Sequence, residues 1–252
     1  MSSSLLRSGG GVAPRRSPAR TWGVVILVLA AIGMVIGVVG VVAFRRTRIK
    51  GSNPQDRIAS ICRLADTRPS GAGNRLAQAA LEESDASVRS AALVGLARFP
   101  DPKYRDTVRR CTDDAASQVR AAAAATLGRY GDEEAARRLG ELVTGDSDRN
   151  VRIATVIGLG RCAAPEALVW LLEAAEKDPD ATVQFEAVKV LYWKLGMRYI
   201  GEKMSKGPKW KMQVAFVVEY LKEYPQIQEA YRRSGRELVR HPEHQLDDHT
   251  VH

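Results

Sequence analysis

The sequence has few of the residues that form reactive sites. It contains three cysteines among 252 residues, and all four histidines lie in the last segment, at 241–252. It also lacks a glycine-rich phosphate loop, a Cys-x-x-Cys pair, and a serine or cysteine nucleophile that could pair with a histidine on an ordered element. We therefore predict no catalytic residues, no metal site and no cofactor, and we expect that the chain is not an enzyme.

The three cysteines are Cys62, Cys111 and Cys162. An odd and widely separated set gives no disulfide framework, and it favours a reducing compartment. The four histidines, with Asp247 and Asp248 beside them, could bind a metal ion adventitiously. Because the segment HPEHQLDDHTVH has no periodic apolar face, we favour a polar tail instead.

Acidic residues are absent from residues 1–50, which contain eight basic side chains. The whole chain carries a formal charge of +9 at pH 7, which leaves +1 for the rest of the chain. In a nucleic-acid-binding fold the basic residues are distributed over the binding surface, whereas here they flank one segment near the N-terminus. We therefore expect no nucleic-acid partner.

Residues 22–44 form an uninterrupted run without a charged side chain. At about 1.5 Å per residue, a helix of this length spans a hydrocarbon core of about 30 Å. Trp22 and the arginines at both ends are typical interfacial anchors. The run predicts a single-pass transmembrane helix and a membrane localisation. A cleaved signal peptide, with a site at Val41-x-Ala43, is the alternative, but its apolar region is normally only about 7 to 15 residues long.

The orientation of this span depends on the basic residues around it. Four arginines precede the run and six basic residues follow it up to Arg63, which favours a cytoplasmic repeat domain. Export of that domain, with the N-terminal tail inside, is the alternative. Gly33 and Gly37 could let two spanning helices approach and dimerise weakly, although coincidental spacing is the preferred explanation.

A valine recurs at a near-constant interval after the apolar run. Val88, Val119, Val151 and Val183 follow one another at intervals of 31, 32 and 32, within the segments DASVRSAALVGL, AASQVRAAAAATL, SDRNVRIATVIGL and PDATVQFEAVKVL. A fixed period in this range indicates stacked supersecondary units that are too small to fold alone. No stretch shows sustained strand alternation, so we predict an all-α chain.

Each valine lies in a predicted helix. Asp85, Asp148 and Asp180 precede it by three residues, as N-caps, whereas the second copy needs Ser117 or Asp114 for that role. Positions +3, +4 and +8, counted from the valine, are mostly small or apolar and share its face, which predicts the buried stripe.

We predict five segments: a disordered tail at 1–21, the transmembrane helix at 22–44, a basic linker at 45–54, the repeat domain at 55–223 and a polar tail at 224–252.

The pattern D-x-x-V-R-x-A-A-x-x-x-L resembles the HEAT repeat, particularly the short phycobilisome-lyase type, over about residues 74–195. The resemblance implies an α-solenoid of stacked helical hairpins, here joined to one transmembrane helix. It also implies that Arg89, Arg120 and Arg152, which follow the valine, pair with neighbouring aspartates. Iron-binding hydroxylases of this family use His-Glu pairs, which this sequence lacks, and nothing in it identifies the bilin pocket of the lyases.

The stacked inner helices of a solenoid line its concave side, the usual binding surface. Residues that face away from the valine become larger towards the fourth copy, and a second arginine row runs beside them. The fourth copy deviates most, at Gln184, Glu186 and Trp193. The predicted partner-binding residues are Val94, Arg98, Arg129, Ile153, Ile157, Arg161, Phe185, Tyr192 and Trp193.

We therefore predict a membrane-anchored HEAT-repeat scaffold that binds a protein partner through this concave face. One alternative is an enzyme or enzyme accessory of the bilin-lyase or deoxyhypusine-hydroxylase-like group. Another is a lipid- or nucleic-acid-binding module, for which the basic stretch around Trp210 is the candidate. For that stretch we favour a loop that opens the final helix, with Trp210 packed over the last repeat.

Overall fold

The computed structural model describes residue 49 and residues 51–196 and 210–240, and within these residues it contains α-helices and no strand. This confirms the all-α prediction. The helices are α1 (Pro54–Thr67), α2 (Ala72–Glu82), α3 (Ala86–Leu96), α4 (Arg105–Cys111), α5 (Ser117–Leu127), α6 (Glu133–Gly145), α7 (Arg149–Arg161), α8 (Glu166–Lys177), α9 (Ala181–Lys194), α10 (Trp210–Lys222) and α11 (Pro225–Ser234). A short 3-10 turn, Pro102–Tyr104, precedes α4.

Aspartate caps begin the helices that carry the repeating valine. The side chains of Asp85, Asp148 and Asp180 each accept a hydrogen bond from an amide two residues later, at 2.8 Å. In the second copy, Ala116 occupies the N-cap position without a side-chain hydrogen bond. The predicted substitution by Ser117 or Asp114 does not occur: Asp114 accepts a hydrogen bond from the Ala116 amide at 2.8 Å, but Asp146 and Asp178 make the same bond in the copies that also have an aspartate cap. These caps confirm the predicted helix starts.

The helices form two layers. In the inner layer, α1, α3, α5, α7 and α9 pack side by side in that order, and α10 follows α9. In the outer layer, α2 packs on α4, α6 on α8, and α8 on α11. Each of the hairpins α2–α3, α4–α5, α6–α7 and α8–α9 therefore contributes one helix to each layer, which is a solenoid arrangement.

The core lies between the two layers and along the inner stack. The four repeating valines are fully buried, as predicted. The residues four and eight after the valine are also buried, as predicted, but those three after it are only half-buried. The residues five after it, such as Leu93, Ala124 and Val156, are fully buried instead. The reason is that each inner helix is covered both by its outer partner and by its two inner neighbours, so the stripe is wider than one helix contact requires.

Glycines let α5 and α7 approach closely. A Cβ atom added to Gly128 would collide with the carbonyl oxygen of Gly158, and one added to Gly158 would collide with that of Ala124. A helix crossing with no side chain at the contact brings the two axes together. The small residues of the second and third copies therefore set the spacing of the inner layer.

The predicted polar tail at 224–252 begins with structure. Residues 225–234 form α11, whose Ile227 and Ala230 are fully buried against the last repeat. The sequence pattern does not predict this helix, because only these two of its residues are buried. Residues 235–240 continue along the outer layer, where the Arg236 guanidinium lies 4.0 Å from the centre of the Trp170 ring.

No helix in the described part of the chain is long and apolar enough to cross a membrane. This finding contradicts the predicted single-pass localisation, which is corrected accordingly. The predicted tail at 1–21, the apolar run at 22–44 with Gly33 and Gly37, and all of the linker up to residue 48 lie outside the described residues. So do the four histidines and the side chain of Trp210.

Candidate functional site

The register of the inner helices places equivalent residues in rows across the exposed face of the stack. A central row lies six residues after the repeating valine, and an edge row lies ten residues after it. The central row is Val94, Ala125, Ile157 and Lys189, and the edge row is Arg98, Arg129, Arg161 and Trp193. We call these two rows the inner surface.

Three large apolar side chains on the inner surface are exposed. Val94 is 62% exposed, Ile157 is 39% exposed and Trp193 is 70% exposed. Few other large apolar residues of the described chain are this accessible. Exposed apolar residues that share one face of a helix stack form a surface at which a partner can displace water.

The first arginine row, which follows the repeating valine, has a structural role. Each guanidinium pairs with a carboxylate of the next hairpin, two residues before its N-cap. The pairs are Arg57–Glu83 at 3.2 Å, Arg89–Asp114 at 2.9 Å, Arg120–Asp146 at 2.7 Å and Arg152–Asp178 at 2.8 Å. The geometry confirms the aspartate pairing that the family resemblance implied, and it adds one pair on α1.

Arg89, Arg120 and Arg152 also bind the chain that precedes their own helix. Arg120 donates to the carbonyl oxygens of Asp114 and Ala115 at 2.9 and 3.1 Å, while its Nε and second Nη bond Asp146. Hydrogen bonding to this guanidinium holds the pKa of Asp146 below its usual range, although burial acts in the opposite direction. Because both partners are engaged within the fold, this row is not available to a ligand.

The second arginine row faces solvent. Arg98 forms an ion pair with Asp66 of α1, and Arg161 donates to the carbonyl oxygen of Ala125 at 3.2 Å. Arg129 is exposed, and neither it nor Arg161 has a carboxylate partner among the described residues. Two of the three guanidiniums therefore have donors left for a bound molecule.

The helix of the fourth copy, α9, departs from the pattern, as the sequence predicted. Lys189 contacts both carboxylate oxygens of Glu186, at 2.7 and 2.9 Å, and lies 5.6 Å from the centre of the half-buried Phe185 ring. Gln184 replaces the arginine that follows the valine in the other copies, and its side chain donates to the carbonyl oxygen of Glu176 at 3.4 Å. The chain of arginine links therefore ends at this repeat.

Three predicted partner-binding residues are less accessible than expected. Tyr192 is only 4% exposed, because α10 packs on α9 and covers it, and this burial raises the pKa of its hydroxyl group. Ile153 and Phe185 are half-buried and pack against the core. The remaining predicted residues lie together on one side of the inner layer. Tyr192 is therefore corrected to a core residue.

A buried charged cluster at the C-terminal end escaped the sequence analysis. Lys222 is 1% exposed, and its Nζ lies 2.6 Å from Glu219 and 2.8 Å from Glu176. A cavity of about 430 Å³ opens beside it, bordered by Tyr231 and Arg236 among others. Lys222 and Glu219 are three residues apart, a spacing that on a sequence is typical of an exposed helix pair. Only the packing of α10 and α11 against α8 buries them.

The cysteines and carboxylates of the described chain do not assemble into a metal-binding group. Cys111 is buried, and burial raises the pKa of its thiol to about 11. Burial also raises the pKa of the Cys162 thiol. Cys62, by contrast, is exposed on α1. Both buried thiols therefore stay protonated at neutral pH and pack as small apolar groups.

Comparison with known proteins agrees with the repeat geometry. The family described as HEAT repeats matches residues 73–149 and 136–198, which together make half of the chain. The chain belongs to the HEAT-repeat family. The four hairpins from α2 to α9 are accordingly its HEAT repeats. No curated protein sequence gives a significant match.

Among solved structures, the HEAT-repeat chain is similar to a chain in "The structure of the complex of CpcE and CpcF of phycocyanin lyase from Nostoc sp. PCC7120". The sequence identity is 16% and the TM-score is 0.52, with 91% of this chain and 98% of that chain covered. At this identity the likeness shows the fold alone. It nevertheless contradicts our prediction that the chain is not an enzyme, because a chain of this fold is part of a lyase.

Proposed function

We propose that this chain is a subunit or accessory of a lyase-type enzyme assembly, in which its inner surface binds a partner protein. The observation that carries the proposal is the exposure of three large apolar side chains on one face of the inner layer, Val94 and Ile157 in the central row and Trp193 in the edge row. The similar chain from Nostoc, which belongs to a complex of two proteins within a lyase, supports both the assembly and the lyase class.

A protein fits the inner surface better than a small charged ligand. The central row is mainly apolar, and the surface extends over four helices instead of closing around a pocket. Interfaces of proteins take this form, with a few large apolar or aromatic anchors surrounded by polar groups. Trp193, with 70% of its surface exposed, is the strongest such anchor.

The proposed role of the chain is to hold and orient its partner. The buried arginine links fix each repeat against the next, so the exposed rows keep their positions when a partner binds. A surface that is already ordered loses little conformational entropy on association. Such a subunit contributes to a reaction by positioning, which is the effect that a rigid binding surface supplies.

Affinity purification of the full-length protein from its native cells tests this proposal. We expect a second protein to co-purify in a fixed ratio, and Ile157→Asp to abolish its capture, because the substitution places a charge in the central row. Circular dichroism should show unchanged helical content. The absorption spectrum of the eluate reports whether a chromophore accompanies the pair.

Arg110→Glu provides the matched control, since Arg110 is exposed on the outer helix α4. This variant should capture the partner as the wild type does. Recovery of the wild-type chain alone, or equal capture by Ile157→Asp and the wild type, would contradict the proposal.

A further inference from the structure

We propose that the part of the partner bound by the inner surface is an acidic amphipathic helix, with its apolar stripe on the central row and its carboxylates facing the arginines of the edge row. This inference rests on the proposed function, which supplies a protein at this surface. It adds the chemistry and the conformation of the bound segment.

The positive charge of the edge row favours an acidic partner. Arg98, Arg129 and Arg161 occupy the same position on three successive helices, and all are exposed. Asp66 pairs with Arg98, but Arg129 and Arg161 have no carboxylate partner within the described residues. Guanidinium groups form their strongest hydrogen bonds with carboxylates. A bound segment that carries acidic side chains along one flank therefore complements this row.

The distance between equivalent residues on successive inner helices favours a helical partner segment. Packed helices lie about 8 to 10 Å apart, so equivalent side chains on successive inner helices recur at about that interval. Two turns of an α-helix advance about 10.8 Å and return a side chain to the same face after about seven residues. In a β-strand, residues three apart span about 10 Å but point to opposite faces. A helix with an acidic residue at every seventh position thus matches the arginines.

On α9 the residue types of the central row and the edge row are exchanged, which restricts how a partner helix can bind. On the first three inner helices that carry the valine, the central row is apolar or small and the edge row is arginine. On α9 the order is reversed, with Lys189 in the central row and the exposed Trp193 in the edge row. The bound helix must therefore end its acidic flank before α9 and present an apolar group to Trp193. This asymmetry selects one direction and one register for the partner.

Two synthetic peptides, each of three heptads, test the inference directly on the full-length protein. Both have leucine at the first and fourth positions of each heptad. At one position of each heptad beside this leucine stripe, one peptide has glutamate and the other has lysine. We expect the wild type to bind the glutamate peptide about tenfold or more tightly at low salt, as measured by fluorescence anisotropy. The tryptophan emission of the protein should shift to shorter wavelength on binding, because Trp193 is 70% exposed before the peptide covers it.

Charge reversal identifies the contact. In the double variant Arg129→Glu and Arg161→Glu, the glutamate peptide should lose about tenfold or more in affinity and the lysine peptide should gain affinity. Arg110→Glu, on the outer helix, should leave both affinities within about twofold. Thermal unfolding of each variant checks that the fold is intact.

Equal affinities of the two peptides, or an unchanged preference in the double variant, would overturn the inference. Displacement of the glutamate peptide by single-stranded RNA or by phosphatidylserine vesicles would overturn it in favour of a different anion. If the native partner is lost from Ile157→Asp but retained by the double variant, the proposed function stands and the acidic helix does not. If the glutamate peptide binds as expected but no native partner is captured, the proposed function fails.

Discussion

At the scale of single residues, one arginine in each of the first three repeats forms two kinds of contact. Its guanidinium binds the carbonyl groups before its own helix and the carboxylate that precedes the next inner helix. These groups would otherwise be partly buried polar atoms without partners, which are costly in a folded protein. The pairs are much less exposed than the surface ion pairs of the same chain.

Arg120→Ala should lower the free energy of unfolding by about 2 to 4 kcal/mol, because it removes the charged partner of the buried Asp146 carboxylate and the donor of two carbonyl oxygens. Urea denaturation followed by circular dichroism measures this loss. Arg137→Ala, which removes an exposed pair with Glu141, should cost no more than about 0.5 kcal/mol. A similar cost for both substitutions would show that the links between repeats add no special stability.

The same links make stability depend on pH. Hydrogen bonds from Arg120 lower the pKa of Asp146. For Asp114, burial acts to raise the pKa, but hydrogen bonds from Arg89 and the Ala116 amide outweigh burial and lower it. A carboxyl group with a lower pKa in the folded chain stabilises the fold above its unfolded pKa of about 3.9, and this stabilisation is lost as the pH falls through the folded value.

We therefore expect the free energy of unfolding to fall below about pH 4. Asp146→Asn should be less stable at neutral pH but should lose less stability between about pH 4 and pH 2 than the wild type does. Urea denaturation across this range provides the measurement. A wild-type loss that the asparagine variant reproduces in full would place the responsible groups elsewhere.

At the scale of helices, small residues determine how closely the inner layer packs. Gly128 and Gly158 meet at the crossing of α5 and α7, where an added methyl group would collide with backbone atoms. Backbone cannot move aside as the end of a flexible side chain can, so the two helices would have to separate.

Gly158→Ala should destabilise the protein by about 1 to 3 kcal/mol, despite the better helix propensity of alanine. Gly145→Ala is the matched control: this residue ends α6, and an added Cβ would meet nothing within 4 Å. It should be neutral or stabilising by up to about 1 kcal/mol. If both variants were stabilised equally, as judged by urea denaturation, the close crossing would be unimportant.

At the scale of the whole described domain, each repeat contacts mainly its neighbours. Such a solenoid gains stability from adjacent interfaces, and its ends are protected by capping elements. α1 caps one end with the exposed Cys62 and Asp66, and α11 covers α8 near the other end.

A chain that ends at Lys222 should therefore unfold locally. Without α11 and Arg236, which contact α8, the amides of α8 and α9 should exchange with deuterium about tenfold or more faster. Those of α2 and α3 should change by less than about twofold. Hydrogen exchange measured by mass spectrometry separates the two regions. Equal acceleration in every helix would mean that the domain unfolds as one cooperative unit.

The helical repeats could be predicted from sequence because their period is encoded locally. Valine, aspartate cap and arginine recur at nearly fixed spacing, and each position has the same neighbours in every copy. The outward rows followed from that register, so Val94, Ile157 and the second arginine row were found together. Tyr192 was misplaced, because its exposure depends on α10, which contributes no further copy of the pattern.

The all-α repeat architecture follows from the sequence alone, since a near-constant period of caps and apolar positions permits few other folds. Which polar groups are buried depends instead on how the helices pack. Lys222 becomes a core residue and α11 becomes a cap because separate helices converge on α8, a contact that no local pattern encodes. The same applies to the inner surface, whose apolar and basic rows exist only after α3, α5, α7 and α9 stack in register.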